Sequence, residues 1–225
     1  HQPCGPNAKT TLDHALTISC NTAFASLGMT LGADKLRAQA AKFGFGQSLH
    51  IPMPATPSTI PAQLNAPQTA QSAIGQYEVK ATPLQMAMVA AAIGNGGKVM
   101  TPYLVQRVVS SDLQTIEGPQ QHDLGDAISP GTAEQLTQMM TDVVAEGTGT
   151  PAQIPGVQVA GKTGTAQHGE GAAPHAWFTG FAPASSPKVA VAVVVEDGGQ
   201  AGSEAAGGTV AGPIAKAVME AVLNS

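Results

Sequence analysis

Two short stretches, far apart in the chain, hold the residues best equipped for chemistry: Ser19-Cys20-Asn21 and Lys162-Thr163-Gly164-Thr165. A hydroxyl both donates and accepts hydrogen bonds, so Ser19 can relay a proton, and the Asn21 amide can serve a donor on one side and an acceptor on the other. Lys162 offers positive charge to an anion, and Thr163 and Thr165 offer hydroxyls. Gly164 has no side chain and leaves room for a ligand backbone to lie along the strand. Taken singly, each has a plainer explanation. Serine and asparagine are favoured at helix starts, and a lysine on an edge strand discourages aggregation. Their weight comes from occurring together.

Groups this far apart in sequence need a folded core to bring them together, and the composition supplies one. The 225 residues are 43% hydrophobic and only 11% charged, which favours folding over disorder. A single domain with two lobes fits that length. Ten basic against fifteen acidic residues give a net charge of −5; with no Lys/Arg cluster, this argues against a nucleic-acid partner. No apolar run approaches the ~20 residues of a membrane span, and the first residues do not read as a signal peptide. The chain opens at His1 rather than Met, so the expectation is a fragment or processed product with its targeting segment upstream.

The positioning elements can be read from periodicity and punctuation. Residues 1–47 read as helical: Ala23, Leu27 and Leu31 recur at helical spacing, and 34–43 follows as a second segment stopped by Gly44 and Gly46. Residues 51–67 are proline-rich and aperiodic, the signature of a long irregular loop. Thr82-Pro83 then starts a helix that is apolar all round through Leu84, Met86, Val89 and Ile93, hence a buried one, ending at Asn95-Gly96-Gly97. A strand is expected over 103–110, and Ser129-Pro130 opens another helix that runs to Glu146. Three β-rich segments, 157–167, 176–182 and 189–196, read as an antiparallel meander. An amphipathic helix over 207–225 closes the chain, with Val210, Ile214, Val218 and Val222 on one side. The implied class is α+β, an antiparallel sheet flanked by helices plus a helical lobe.

The order of motifs is more specific than any one of them. Ser19-Cys20-Asn21, then Gly75-Gln76-Tyr77-Glu78-Val79 with Thr82-Pro83-Leu84-Gln85-Met86, then Asn95-Gly96-Gly97 and Lys162-Thr163-Gly164-Thr165 resembles the transpeptidase domain of class B penicillin-binding proteins over nearly the whole chain. Two of that family's three motifs, S-x-N and K-T-G, are present. The resemblance implies a β-lactamase/transpeptidase-like fold and a serine acyl-transferase that cross-links peptidoglycan stem peptides ending in D-Ala-D-Ala. β-Lactam antibiotics would be its inhibitors, no cofactor would be needed, and cell-division proteins are candidate partners. It also implies the extracytoplasmic face of the membrane, with an anchor upstream. Ser19, Asn21 and Lys162 would be catalytic. Thr163, Gly164 and Thr165 would bind substrate, with the Thr165 backbone N–H as half of an oxyanion hole.

The family's nucleophile motif, S-x-x-K at a helix start, does not occur ahead of these two, so the chain reads as the C-terminal portion of the domain, residues 1–225, with the nucleophilic serine expected upstream. Ser185-Ser186-Pro187-Lys188 satisfies the spacing, but Ser, Ser and Pro between two strands make an ordinary turn. The motifs alone leave D,D-carboxypeptidase, β-lactamase, or a non-catalytic β-lactam sensor or partner-binding domain open. Cys4 and Cys20 are the only cysteines; they are either unrelated thiols or, as an extracytoplasmic setting favours, a disulfide steadying the approach to Ser19. No metal site is expected: the histidines lack H-x-x-x-H spacing, and His168, Glu170 and His175 read as loop surface. Trp177 and Phe178 read as core and cleft wall, Tyr77 and Glu78 as structural.

Overall fold

The computed structural model describes residues 4–51, 53–118 and 122–225. Helices α1 (Leu12–Thr17), α2 (Asn21–Leu31) and α3 (Ala33–Lys42) come first. They are followed by the short strands β1 (Leu49–His50) and β2 (Pro54–Ala55), then α4 (Ala66–Ser72) and α5 (Pro83–Gly94). The next segment holds β3 (Lys98–Met100), β4 (Val108–Val109), β5 (Thr115–Glu117) and β6 (Asp123–Asp126). Helix α6 (Pro130–Ala145) leads into the main sheet of β7 (Ala160–Ala166), β8 (His175–Ala182) and β9 (Val189–Val195), and α7 (Gly212–Leu223) ends the chain. No described helix is long and apolar enough to cross a membrane.

The sheet is antiparallel with order β7-β8-β9, which leaves β7 as a free edge. Lys162 pairs with Thr179, and Thr179 with Ala192. Because strand side chains alternate faces, the fully buried Phe178 and Phe181 on β8 point to opposite layers. Phe178 packs with Val144, Ala211, Ala215 and Met219, which brings α7 onto one face. Phe181 packs with Ala90, Ile93 and Met140, which brings α5 and α6 onto the other. The two long central helices start where a hydroxyl precedes proline. Thr82 caps α5 by accepting from the Gln85 N–H, and Ser129 caps α6 by accepting from the Thr132 N–H, each worth about 1 kcal/mol.

The predicted helices at 82–94 and 129–146 and the three-stranded meander all form. Four details differ. The stretch 51–67 is not one loop: β2 lies within it and α4 begins at Ala66, capped by an Asn65/Gln68 capping box that the sequence carries openly. Only Val108–Val109 of the predicted 103–110 strand pairs, while Tyr103, Leu104 and Val105 are exposed. Three further two-stranded sheets, β1-β2, β3-β6 and β4-β5, have too few residues each to leave a periodic trace. The closing helix buries the face beside the one its apolar stripe suggested, about 100° round the axis: Ala211, Ala215 and Met219 are inside, whereas Ile214 and Val218 are 46% and 44% exposed. Small residues let α7 approach the sheet closely, so the bulkier stripe faces outward. Of the opening segment, residues 1–3 lie outside the described residues.

Candidate active site

Ser19 sits in the tight turn joining α1 to α2. Helix α1 is capped by Thr11 and ends at Thr17; the Ser19 N–H then bonds back to Leu16 O at 3.1 Å and the Cys20 N–H to Ala15 O at 2.8 Å. Closing the turn puts Ser19 at φ +57°, a left-handed conformation that costs a non-glycine residue of order 1–3 kcal/mol. Two devices hold it there. Cys20 is the N-cap of α2, its sulfur accepting from the Ala23 N–H at 3.4 Å. It is also bonded to Cys4 in a disulfide with Cα atoms 5.9 Å apart, within the ordinary range.

The same turn is docked onto the strand that carries Lys162. The Thr148 N–H donates to Thr17 O at 3.2 Å, and the Thr148 hydroxyl shares a 2.7 Å hydrogen bond with that of Thr163. The docking requires a glycine before Thr148, since a Cβ at position 147 would stand 2.3 Å from Thr17 O. With the backbones locked in this way, Lys162 Nζ donates to Ser19 Oγ at 2.7 Å, although the two residues are 143 positions apart. It also donates to Thr163 O at 2.8 Å. Among the described residues no carboxylate pairs with Lys162. Burial without a counter-charge pushes its ammonium down from 10.5 to about 8, so near neutral pH it can both give and take a proton.

Backbone groups on the β7 edge point into the same space. Thr163 O receives Lys162 Nζ, and Thr165 O receives Gln76 Nε2 at 3.2 Å. Neither carbonyl is therefore directed at β8. In an antiparallel strand the N–H and C=O of one residue point the same way, so the N–H groups of Thr163 and Thr165 also face the free edge. Along that edge lies a cavity of about 800 Å³, lined by residues 162–167 on one side and by Gly75, Gln76 and Tyr77 on the other. Trp177 and Met86 form part of its wall. A strand edge whose N–H groups find no partner among the described residues, a hydroxyl-bound lysine of lowered pKa and an adjoining cavity can grip an extended peptide and stabilise charge on its carbonyl and carboxylate.

This arrangement matches a known family along nearly the whole chain: the model described as penicillin binding protein transpeptidase domain covers residues 2–220. The chain belongs to that family. It is 47% identical over 231 residues to the peptidoglycan D,D-transpeptidase PbpA of Mycolicibacterium smegmatis, covering 99% of this chain and 46% of that protein. Penicillin-binding protein A of Mycobacterium tuberculosis, solved as a ceftriaxone acyl-enzyme complex, superposes with a TM-score of 0.93 at 42% identity, covering 98% of this chain and 50% of the other. The D,D-transpeptidase domain from Eggerthella lenta superposes at 0.83 with 36% identity, covering 96% of this chain and 55% of that one. The fold is thus the β-lactamase/transpeptidase one, and the chain spans about half the length of the curated relatives it matches.

Among the motif residues of this penicillin-binding transpeptidase domain, the fold gathers Ser19, Lys162 and Thr163 into one hydrogen-bonded group. Asn21 opens α2 two residues beyond Ser19 with its side chain exposed. The Thr165 hydroxyl accepts from the Gly207 N–H at 3.4 Å. Gly164 has a packing reason beyond the predicted ligand clearance: a Cβ there would come 3.2 Å from that of Trp177, and the backbone of Gly207 lies against it. Phe178 is core and Trp177 lines the cavity, as expected. Ser185 lies in the β8–β9 connection, after Ala182 and ahead of Val189, and lines no part of the cavity. Two contributors escaped the sequence reading. Thr148 is visible there only as a residue after a helix stop, and Gln76 only as part of a family-like word.

Proposed function

We propose that this chain supplies the S-x-N and K-T-G walls of a D,D-transpeptidase that cross-links peptidoglycan stem peptides, with the nucleophilic serine contributed by residues outside these 225, upstream. The carrying observation is the 2.7 Å contact between Lys162 Nζ and Ser19 Oγ beside the outer edge of β7. In this reading the serine attacks the carbonyl of the D-Ala-D-Ala bond, and the Thr165 N–H stabilises the oxyanion. The Lys162–Ser19 pair passes a proton to the departing D-Ala amine as the C–N bond breaks. Lys162 and the Thr163 hydroxyl hold the terminal carboxylate, and Asn21 steadies the donor backbone. An acceptor amine then attacks the acyl-enzyme and returns its proton by the same route. The names of the relatives favour the amine acceptor of a transpeptidase over the water of a carboxypeptidase or β-lactamase. The setting is the extracytoplasmic face of the membrane, with cell-division proteins as partners.

Intact-mass analysis of the full-length protein after exposure to penicillin G tests this. The expected result is one acyl adduct, on a serine outside residues 1–225, formed far more slowly when Ser19→Ala is introduced. Adduct formation at Ser185, or an unchanged rate in Ser19→Ala, would overturn the assignment.

A further inference from the structure

The far end of the main sheet gathers three groups that sequence spacing kept apart. His168 follows β7, His175 opens β8, and Asp197 follows β9. Their candidate donor atoms all lie within 4.8 Å of one another. His168 Nε2 is 2.8 Å from Asp197 Oδ1, and His175 Nδ1 is 3.9 Å from the same oxygen. A tetrahedral ion with bonds of 2.0–2.1 Å sets its ligands about 3.3 Å apart, between those two distances. The 2.8 Å contact is also not a directed hydrogen bond: His168 Nε2 is buried and finds no partner at hydrogen-bonding geometry. A buried polar nitrogen calls for a partner, and a cation shared with the neighbouring carboxylate would supply one.

We propose that His168, His175 and Asp197 bind one divalent transition-metal ion, Zn²⁺ by donor preference. Two imidazoles and a carboxylate suit zinc and its neighbours rather than magnesium or calcium, which favour all-oxygen sets. Three protein ligands leave a fourth position open. Because His168 and His175 also line the cavity that Lys162 faces, that position is within reach of water or a ligand oxygen in the cleft. The Asp197 N–H now donates to His175 Nδ1 at 3.0 Å; the ion would displace it there, or the ring would flip to offer Nε2. The two rings are stacked, 3.7 Å apart and 10° from parallel, so the His168 ring must turn for both lone pairs to meet one ion. Gly169 and Gly171, at φ +62° and +76°, give the connection between β7 and β8 that freedom. The sequence alone suggests loop surface for His168 and His175, since Asp197 joins them only in the fold; Glu170 takes no part. Bound zinc would brace that connection against the end of β9 and fix one wall of the cleft.

The test is calorimetric titration of zinc chloride into the full-length protein and into His175→Ala and Asp197→Asn, with His14→Ala as control and circular dichroism to confirm folding. One ion per chain is expected, with about tenfold or greater loss of affinity in the first two variants and none in the control. Co²⁺ bound to the unaltered protein should give the intense visible bands of a four-coordinate site, a readout independent of whether the variants fold. No binding to the unaltered protein, affinity retained in both ligand variants, or only the faint bands of six-coordinate cobalt would each overturn the assignment.

Discussion

The two walls of the cleft are built on different principles. Each rests on a non-glycine residue at positive φ: Ser19 at +57°, bonded to Lys162 behind one wall, and Tyr77 at +63°, lining the other. The Ser19 wall is fixed several times over. A disulfide, a sulfur cap, the Thr148 tie to Thr17 and the Lys162 bond all converge on a few residues. The Tyr77 wall has no covalent tie: the Gly75 and Gln76 N–H groups donate to Ser72 O and Gln71 O at 3.0 Å each, Gln68 Nε2 donates to the Tyr77 hydroxyl at 2.8 Å, and Gln76 Nε2 makes one bond across to Thr165 O. Strained residues persist where their surroundings over-determine them. One wall is therefore held to a geometry, as proton transfer and charge stabilisation demand, while the other can yield to a ligand.

The comparison is broken most directly at Lys162. In the full-length protein, Lys162→Ala should slow acylation by penicillin G about 10²–10³-fold, the scale of losing one preorganised charge-stabilising group. Lys162→Met should slow it as much yet raise stability at pH 7, because it removes an uncompensated buried ammonium while keeping the packed stem. The pH dependence follows from the sign of the shift. With its pKa lowered from 10.5 to about 8, the folded chain holds fewer protons than the unfolded one between those values. Stability should therefore rise with pH through that window by at most roughly 3 kcal/mol. Urea unfolding at pH 7 and pH 10 should show that gain in the unaltered protein and not in Lys162→Met. Equal pH dependence in both would mean that Lys162 is better solvated than its contacts indicate.

A second break removes the covalent tie. Cys4→Ser with Cys20→Ser opens a loop of sequence separation 16, for which the chain-entropy argument gives about 3 kcal/mol. The serine at position 20 can still cap α2, so the helix start survives and the loss belongs to the cross-link. Acylation should slow less than in Lys162→Ala, since Thr148 and Lys162 still hold the turn. A loss of activity equal to that of Lys162→Ala would show that the disulfide alone, rather than several ties together, positions Ser19.

How much of this was legible beforehand depended on the range of the interaction. Thr82-Pro83 and Ser129-Pro130 announce α5 and α6 because caps and proline act within one turn, and the valine-rich run of β9 announces itself by composition. The Ser19 and Lys162 motifs were readable as words, and acyl transfer required them to share one cleft, as they do; the direct hydrogen bond between them was not readable. It depends on Gly147 allowing Thr17 and Thr148 to touch, a steric fact with no local signature. The buried side of α7 was misread for a related reason: close approach to the sheet selects Ala211 and Ala215 over the larger Ile214 and Val218, and periodicity alone ranks those the other way. The cluster of His168, His175 and Asp197 was likewise hidden, because it joins the ends of three strands.

The smallest expected effect lies on the yielding wall. Gln76→Ala removes the bond to Thr165 O, a partly exposed contact worth no more than about 1 kcal/mol, so the melting temperature should fall by no more than about 2–4 °C. The informative readout is local. Tyr77, a non-glycine residue at φ +63°, keeps that conformation only with help from its surroundings, so amide exchange over residues 75–78 should quicken once the amide bridge is gone. The amides of residues 18–20 should exchange as before, because nothing in their network passes through Gln76. Quickened exchange in both segments would mean that the walls form one cooperative unit, and the contrast between a fixed and a yielding side would fail.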